Sequence, residues 1–292
     1  VIYLIIISGS TSKILANNLA KILEVSCTQA EIKRFPDNEG YVRLDCNIGT
    51  ELDNEEVVLV QNTYPDERII ELFLLQDAIR EFDIKSLTTV VPYYGYARQD
   101  KKFNPGEPIS ARALAKHIEL NSDRVILIDI HARSILDWFL KPIFELSGMD
   151  QIGEYLKEHK PDIIMAPDKG AIDRASRVAK VLGSKFDYLE KTRIDGHTVT
   201  MKAKELEVTD KTVAIIDDII ATGGTIIKAT NELKAQGATQ VFAACTHGLY
   251  TSNALPKLKE NCDMVISTDT LESETSLVSL APEISAFLKK QL

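Results

Sequence analysis

The sequence predicts an α/β chain with doubly wound, mainly parallel sheets, and three observations carry that prediction. Short apolar runs rich in Val and Ile, at 3–7, 57–61, 125–128 and 213–216, have the length and composition of strands buried on both faces. Such runs lead into loops of Gly, Ser, Thr or Asp, and helix-forming stretches follow. The pattern then restarts after 141–149, a passage containing Pro and Gly, so two domains are expected, 1–144 and 145–292. With 292 residues, 45% of them hydrophobic, the chain can fill two cores of about 150 residues each.

Bulk properties exclude several classes of partner. A net charge of −9 argues against nucleic acid or an anionic membrane as a general partner. Cys27, Cys46, Cys245 and Cys262 are dispersed without metal-ligand spacing, so free thiols in a reducing, cytoplasmic compartment are expected. The opening 1–7 is apolar but too short for a signal sequence, and no other run approaches a membrane span.

In the first half, strand 3–7 leads through Ser8-Gly-Ser-Thr-Ser12 to a helix with Ile14, Leu15, Leu19, Ile22 and Leu23 on one face. The Gly-x-Gly-x-x-Gly fingerprint of a dinucleotide site is missing. Residues 33–40, which include Phe35, Asp37, Asn38 and Glu39, read as a loop before an alternating strand. The stretch 65–82 is a helix with little polar face, expected to be buried on more than one side in a core or at a subunit contact. A strand ends at Pro92, and after Tyr93, Tyr94 and Tyr96 comes Arg98-Gln99-Asp100-Lys101-Lys102, before a helix from about Ser110. A guanidinium can fork onto phosphate oxygens, and an amide can bond a purine edge or a ribose. This loop suits a nucleoside triphosphate; taken alone it also reads as a solvated charge cluster. After strand 125–128, alternation puts Asp129 and His131 on one side, within reach of one ligand.

In the second half, strand 162–167 runs into Asp168-Lys169-Gly170-Ala171 and a helix over 172–182, whose leading amides are expected to face an anion. A strand over 185–190, the basic run Lys191 to His197 and the extended 198–203 read as a hairpin with a charged tip. The strongest signal follows. Strand 213–216 ends in Asp217 and Asp218, then Ala221-Thr222-Gly223-Gly224-Thr225 opens a helix that Gly237 stops. Glycines admit a close approach of the backbone, threonines donate hydroxyls, and the leading N–H groups and helix dipole attract an anion such as a phosphate monoester. Two carboxylates beside a phosphate are unfavourable unless they meet donors or a cation, and a ribose diol supplies donors. Strands at 240–248 and 263–267 and a closing helix over 285–292 complete the chain.

The run from Val213 to Thr225 resembles the phosphoribosyl-pyrophosphate signature shared by phosphoribosyltransferases and ribose-phosphate pyrophosphokinases. Tyr96-Ala-Arg-Gln-Asp-Lys-Lys with Pro108-Ile-Ser-Ala resembles the ATP loop that only the pyrophosphokinases carry. Asp129-Ile-His131 with Trp138-Phe139 and Pro142 resembles their divalent-cation signature, although Ser134 and Asp137 depart from it. The resemblance spans essentially the whole chain and implies two phosphoribosyltransferase-type domains, the first with the ATP loops and the second with the ribose 5-phosphate and pyrophosphate loops. It implies transfer of the β,γ-diphosphoryl group of ATP to the 1-hydroxyl of ribose 5-phosphate. ATP would contact Phe35, Asp37, Asn38, Glu39, Arg98, Gln99, Asp100 and Lys101, with the Phe35 loop coming from a neighbouring subunit of a homo-oligomer, at least a dimer. The sugar phosphate would lie on Arg193, Asp217, Asp218, Ala221, Thr222, Gly223, Gly224 and Thr225, and the pyrophosphate on Asp168, Lys169 and Gly170. Mg2+ would use His131, Asp168 and Asp129, and Lys191 and Arg193 would be catalytic. A phosphoribosyltransferase and a non-catalytic regulatory homologue are the alternatives.

Overall fold

The computed structural model describes residues 4–45, 52–193, 199–203 and 206–291, with 191–193 and 199–203 described as backbone. Cys46 and the hairpin tip 194–198, including His197, lie outside the described residues. The chain forms two compact units. One contains Val1–Ser147 with Thr270–Glu272 and Ser279–Leu292, and the other contains Gly148–Asp269 with Ser273–Val278.

The first unit is built from β1 (Leu4–Ser8), α1 (Lys13–Leu23), β2 (Cys27–Gln29), β3 (Glu31–Arg34), β4 (Gly40–Arg43), β5 (Glu56–Val60), α2 (Glu67–Arg80), β6 (Ser86–Val91), α3 (Ser110–Ile118), β7 (Arg124–Ile128) and β8 (Ile143–Leu146). Its sheet has the order β2-β1-β5-β6-β7-β8 and is parallel throughout, while β3 and β4 form a separate antiparallel hairpin. Because strand side chains alternate, Ile5, Ile7, Val57 and Leu59 pack with Leu72, Leu75 and Ile79 of α2 on one face. Leu4, Ile6, Val58 and Val60 pack with Leu15 and Leu19 of α1 on the other.

The helices depart from expectation in three places. On α1, Leu15, Leu19 and Leu23 are buried, but Ile14 and Ile22 lie on the outer side of the apolar stripe and are 55% and 38% exposed. Within the single chain, helix α2 buries one face, leaving Ile70 at 55% and Leu74 at 37% exposure. The closing helix begins earlier than the sequence suggests, at Ala281, and belongs with the first unit, where Ile284 and Leu288 join the core beside α1. Domain order along the chain is therefore not strictly sequential.

The second unit contains α4 (Met149–Leu156), β9 (Ile163–Ala166), α5 (Ile172–Leu182), β10 (Lys185–Arg193), β11 (Val199–Ala203), β12 (Thr212–Ile220), α6 (Gly224–Ala235), β13 (Gln240–Gly248), α7 (Ala254–Asn261), β14 (Met264–Thr268) and β15 (Ser276–Val278). The sheet order is β11-β10-β9-β12-β13-β14-β15, parallel except where β10 meets β11. Val213, Ile215, Val241 and Ala243 pack toward Ile226, Ala229 and Leu233 of α6, and Ala214, Ile216 and Ala244 toward Val178 of α5. The remaining helix, α8 (Ala281–Gln291), is the closing helix of the first unit. No helix among the described residues is long and apolar enough to cross a membrane.

Candidate active site

In the second unit, β12 is longer than its apolar run suggests, and Asp217 and Asp218 lie inside it rather than after it. The Asp217 Oδ1 accepts the backbone N–H of Asp218 at 2.9 Å. Arg174 of α5 places Nη2 3.0 Å from Asp218 Oδ2, and the Asp218 side chain is only 5% exposed. Burial first, then the hydrogen bond and repulsion from Asp218, push the Asp217 carboxyl up to about 8, although the Arg174 charge and a backbone N–H pull the other way. Asp217 therefore holds its proton at neutral pH beside the Arg174-paired Asp218.

Beyond Ile220 the chain turns at Ala221 and Thr222, and Gly223 takes a left-handed φ of +73° as the cap of α6. A side chain on Gly223 would also meet the Leu258 side chain at 3.1 Å, so space and backbone both call for glycine. The first bond within α6 runs from Ile227 N to Gly223 O. Helix geometry thus leaves the N–H groups of Gly224, Thr225 and Ile226 without helical acceptors, with Thr222, Gly224 and Thr225 exposed. Exposed, unpaired amides at a helix start favour an anion.

The second anion loop is organised differently from expectation. Asp168 Oδ1 accepts the Gly170 N–H at 2.9 Å, so the loop's own carboxylate already engages one amide that the sequence reading gives to the anion. A tight turn, Lys169–Ala171, then enters α5, with Lys169 and Gly170 exposed. Lys191 and Arg193 lie at the far end of β10, with register partners Met201 and Val199 on β11.

In the first unit, the two segments expected at ATP lean on neighbouring acids at the start of α2. Arg34 reaches Glu67 at 2.9 Å, and its other nitrogen bonds Asn38 O at 2.9 Å. Tyr96 donates its hydroxyl to Asp66 at 2.9 Å. The hairpin turn is closed by Phe35 N to Glu39 O and Asn38 N to Phe35 O, with Asp37 Oδ1 accepting Glu39 N at 3.1 Å. Phe35 is 45% exposed and meets Tyr41 edge-on at 5.3 Å. In the other loop Glu107 accepts from Phe103 N, Asn104 N and Asn104 Nδ2, and the Ser110 hydroxyl donates to Gln99 Oε1 at 2.6 Å. Arg98 and Lys101 are exposed, and the Lys101 ammonium lies 5.7 Å from the Phe103 ring centre.

The alternation expected to align Asp129 with His131 is interrupted at the strand end. Strand β7 ends at Ile128, and Asp129 adopts a left-handed φ of +37°, which breaks the alternation. Asp129 is buried and His131 exposed. Among the described residues no three His, Cys, Asp or Glu side chains gather as a metal cage. Arg174 was not foreseen, because nothing in its local sequence marks a partner 44 positions away.

Comparison with known proteins agrees with this architecture. Residues 4–121 match the N-terminal domain of ribose phosphate pyrophosphokinase, and 142–282 match the phosphoribosyl transferase domain. The ribose-phosphate pyrophosphokinase of Methanosarcina acetivorans is 43% identical over 98% of this chain and 99% of its own. That of Thermococcus kodakarensis is 40% identical over 92% and 94%. The crystal structure of phosphoribosylpyrophosphate synthetase from Mycobacterium smegmatis superposes with a TM-score of 0.84 at 30% identity, covering 99% of this chain and 98% of the other. With two phosphoribosyltransferase-type domains and full-length relatives at this identity, the chain belongs to the ribose-phosphate pyrophosphokinases and is an enzyme of that family.

Proposed function

We propose that the chain transfers the β,γ-diphosphoryl group of ATP to the 1-hydroxyl of ribose 5-phosphate. The hydroxyl oxygen bonds to the β-phosphorus, the bond from the β-phosphorus to the α,β-bridging oxygen breaks, and AMP leaves. The hydroxyl proton passes to solvent. The observation that carries this reading is the combination of an aspartate pair and an anion cradle on one strand-loop-helix, Asp217 to Thr225, in a chain that also holds the Arg98 loop.

The sugar's phosphate would accept from the N–H groups of Gly224 and Thr225 and from the Thr222 and Thr225 hydroxyls. Its 2- and 3-hydroxyls would donate to Asp217 and Asp218, with Ala221 leaving room. Phe35 would stack on adenine, Asp37, Asn38 and Glu39 would contact its polar edge, and Arg98, Gln99, Asp100 and Lys101 would line the ribose and phosphates. Exposed rings supply stacking area at small conformational cost, and a guanidinium forks onto phosphate oxygens. The Phe35 hairpin would serve a neighbouring subunit's site, which requires at least a homodimer.

Magnesium prefers oxygen donors and sits on one or two carboxylates together with substrate phosphates. Asp168 fits that role, since its Oδ1 holds Gly170 and its Oδ2 has no partner among the described residues. Asp129 is buried and His131 offers nitrogen, so they fit less well as direct ligands. When bound, the ion would neutralise charge on the polyphosphate. Lys169 and Gly170 would bound the pyrophosphate side, and Lys191 and Arg193 would supply the positive charge that a loose, in-line phosphoryl transfer requires.

Phosphorus NMR of the purified protein with ATP, magnesium and ribose 5-phosphate tests the reading. AMP together with a new sugar-linked diphosphate is expected. Intact ATP, or ADP as the product, would overturn it.

A further inference from the structure

The turn after β13, Gly248-Leu-Tyr-Thr-Ser-Asn253, and the helix it leads into, α7, meet the sugar-phosphate loop at two points. At the loop's start Ile220 O, the last carbonyl of β12, accepts two amides: Leu249 N at 3.0 Å, which closes the strand ladder, and Tyr250 N at 3.1 Å. A peptide group is planar, so a carbonyl held twice also fixes the direction of the Ala221 N–H on the same plane. Further along, Leu258 of α7 lies against Gly223, where an added side chain would meet it at 3.1 Å. Ala221 and Thr222 lie between these two supports.

The turn is held in a conformation that its residues disfavour. Tyr250, Ser252 and Asn253 have φ of +46°, +55° and +57°, and such strain persists only where surrounding contacts over-determine it. Those contacts converge on Tyr250. Its ring fills the space beside Gly248, where a Cβ would fall 2.5 Å from a ring carbon. Its hydroxyl accepts from Thr275 Oγ1 at 2.9 Å and also bonds the side chains of Ser267 and Cys245. Ser267 and Thr275 are buried and bond each other at 2.9 Å, and Cys245 is the register partner of Asp217 on β12. One phenol thus ties β13, β14 and the approach to β15 to the turn.

We propose that Tyr250 is a positioning residue for ribose 5-phosphate: anchored by its hydroxyl, it presents the amide that pins Ile220 O, and so sets where Ala221 to Thr225 meet the sugar's phosphate. It acts through the loop rather than on the substrate. This role depends on ribose 5-phosphate binding in that loop.

Steady-state kinetics of Tyr250→Phe, Thr275→Val and Gly223→Ala, each measured below its melting temperature, test the role. Tyr250→Phe keeps the ring and removes the hydroxyl, whereas Thr275→Val removes the hydroxyl's partner and leaves the turn untouched. Each of these two should raise the KM for ribose 5-phosphate about fivefold, the loss expected from one hydrogen bond, with the KM for ATP within about twofold of the parent. A general loosening of the fold would move both KM values together, and that result overturns the role. If neither variant changes the KM for ribose 5-phosphate while Gly223→Ala raises it, Tyr250 is not a positioning residue and the loop assignment stands. If Gly223→Ala also leaves that KM unchanged, the sugar phosphate does not bind in this loop, and the role of Tyr250 falls with that assignment.

Discussion

Arg174 Nη2 stands 3.0 Å from Asp218 Oδ2, which joins helix α5 to the strand that carries Asp217 and Asp218. The arginine is 22% exposed and the aspartate 5%, so this pair is largely withdrawn from water. Removing one partner of a buried pair strands the other charge, at a cost of about 3 kcal/mol. Arg174→Ala should therefore lower the melting temperature and weaken ribose 5-phosphate binding at least tenfold. Calorimetry of both quantities checks it, and an unchanged melt would contradict the burial argument.

How much of this was legible in the sequence follows from the range of each interaction. The strand-loop-helix from Val213 onward could be read locally, because apolar run, glycines and helix stop are contiguous. Asp217 and Asp218 stand out in the same way, as a carboxylate pair closing the apolar run. Arg174 does not, since it meets Asp218 only through the packing of α5 on the sheet. The lean of Arg34 and Tyr96 on Glu67 and Asp66 was equally invisible, because adjacent acids at a helix start read as ordinary dipole partners. At Asp129 one left-handed residue interrupts strand alternation, and only backbone geometry reveals it.

The raised Asp217 carboxyl gives a pH dependence. Its ordinary value is 3.8 and its folded value about 8, so the folded protein holds the proton more tightly. The stability this contributes is complete below the ordinary value and is lost as pH rises toward the folded one. The melting temperature of the ligand-free protein should thus fall relative to Asp217→Asn between pH of about 5 and about 8. Parallel melts of the two proteins across that range measure the difference, and identical slopes would rule out the assignment.

Gly223 sits where a left-handed φ and a tight approach to Leu258 both disfavour a side chain. Gly223→Ala should cost about 1–2 kcal/mol, from left-handed strain and the push against Leu258. Because the same residue caps α6, the amides of Gly224 and Thr225 should shift as well. Ribose 5-phosphate affinity should fall tenfold or more while ATP affinity is unchanged. Isothermal titration with each ligand separates the two effects.

Phe35, being 45% exposed, contributes little to the core of its own unit. Phe35→Ala should leave the melt within about 1 °C, given that exposed substitutions rarely exceed 0.5 kcal/mol. Loss of one stacked ring should raise the KM for ATP by about tenfold, with the KM for ribose 5-phosphate unaltered. If both KM values rise together, the hairpin is acting on overall folding or assembly instead of on adenine.

Lys191 and Arg193 belong to the end of β10 that pairs with β11, and a loose phosphoryl-transfer transition state places its added charge on the moving diphosphoryl group. A cation that acts mainly there stabilises the transition state more than the bound substrates. Lys191→Ala should accordingly lower kcat by about 10²–10³-fold, the usual loss on removing one preorganised charge or donor, with little change in ribose 5-phosphate affinity. Arg193→Ala should differ in also weakening sugar-phosphate binding, because its guanidinium is assigned to both partners. Steady-state kinetics with direct binding measurements distinguishes the two. A Lys191→Ala enzyme with undiminished kcat would remove this lysine from the mechanism.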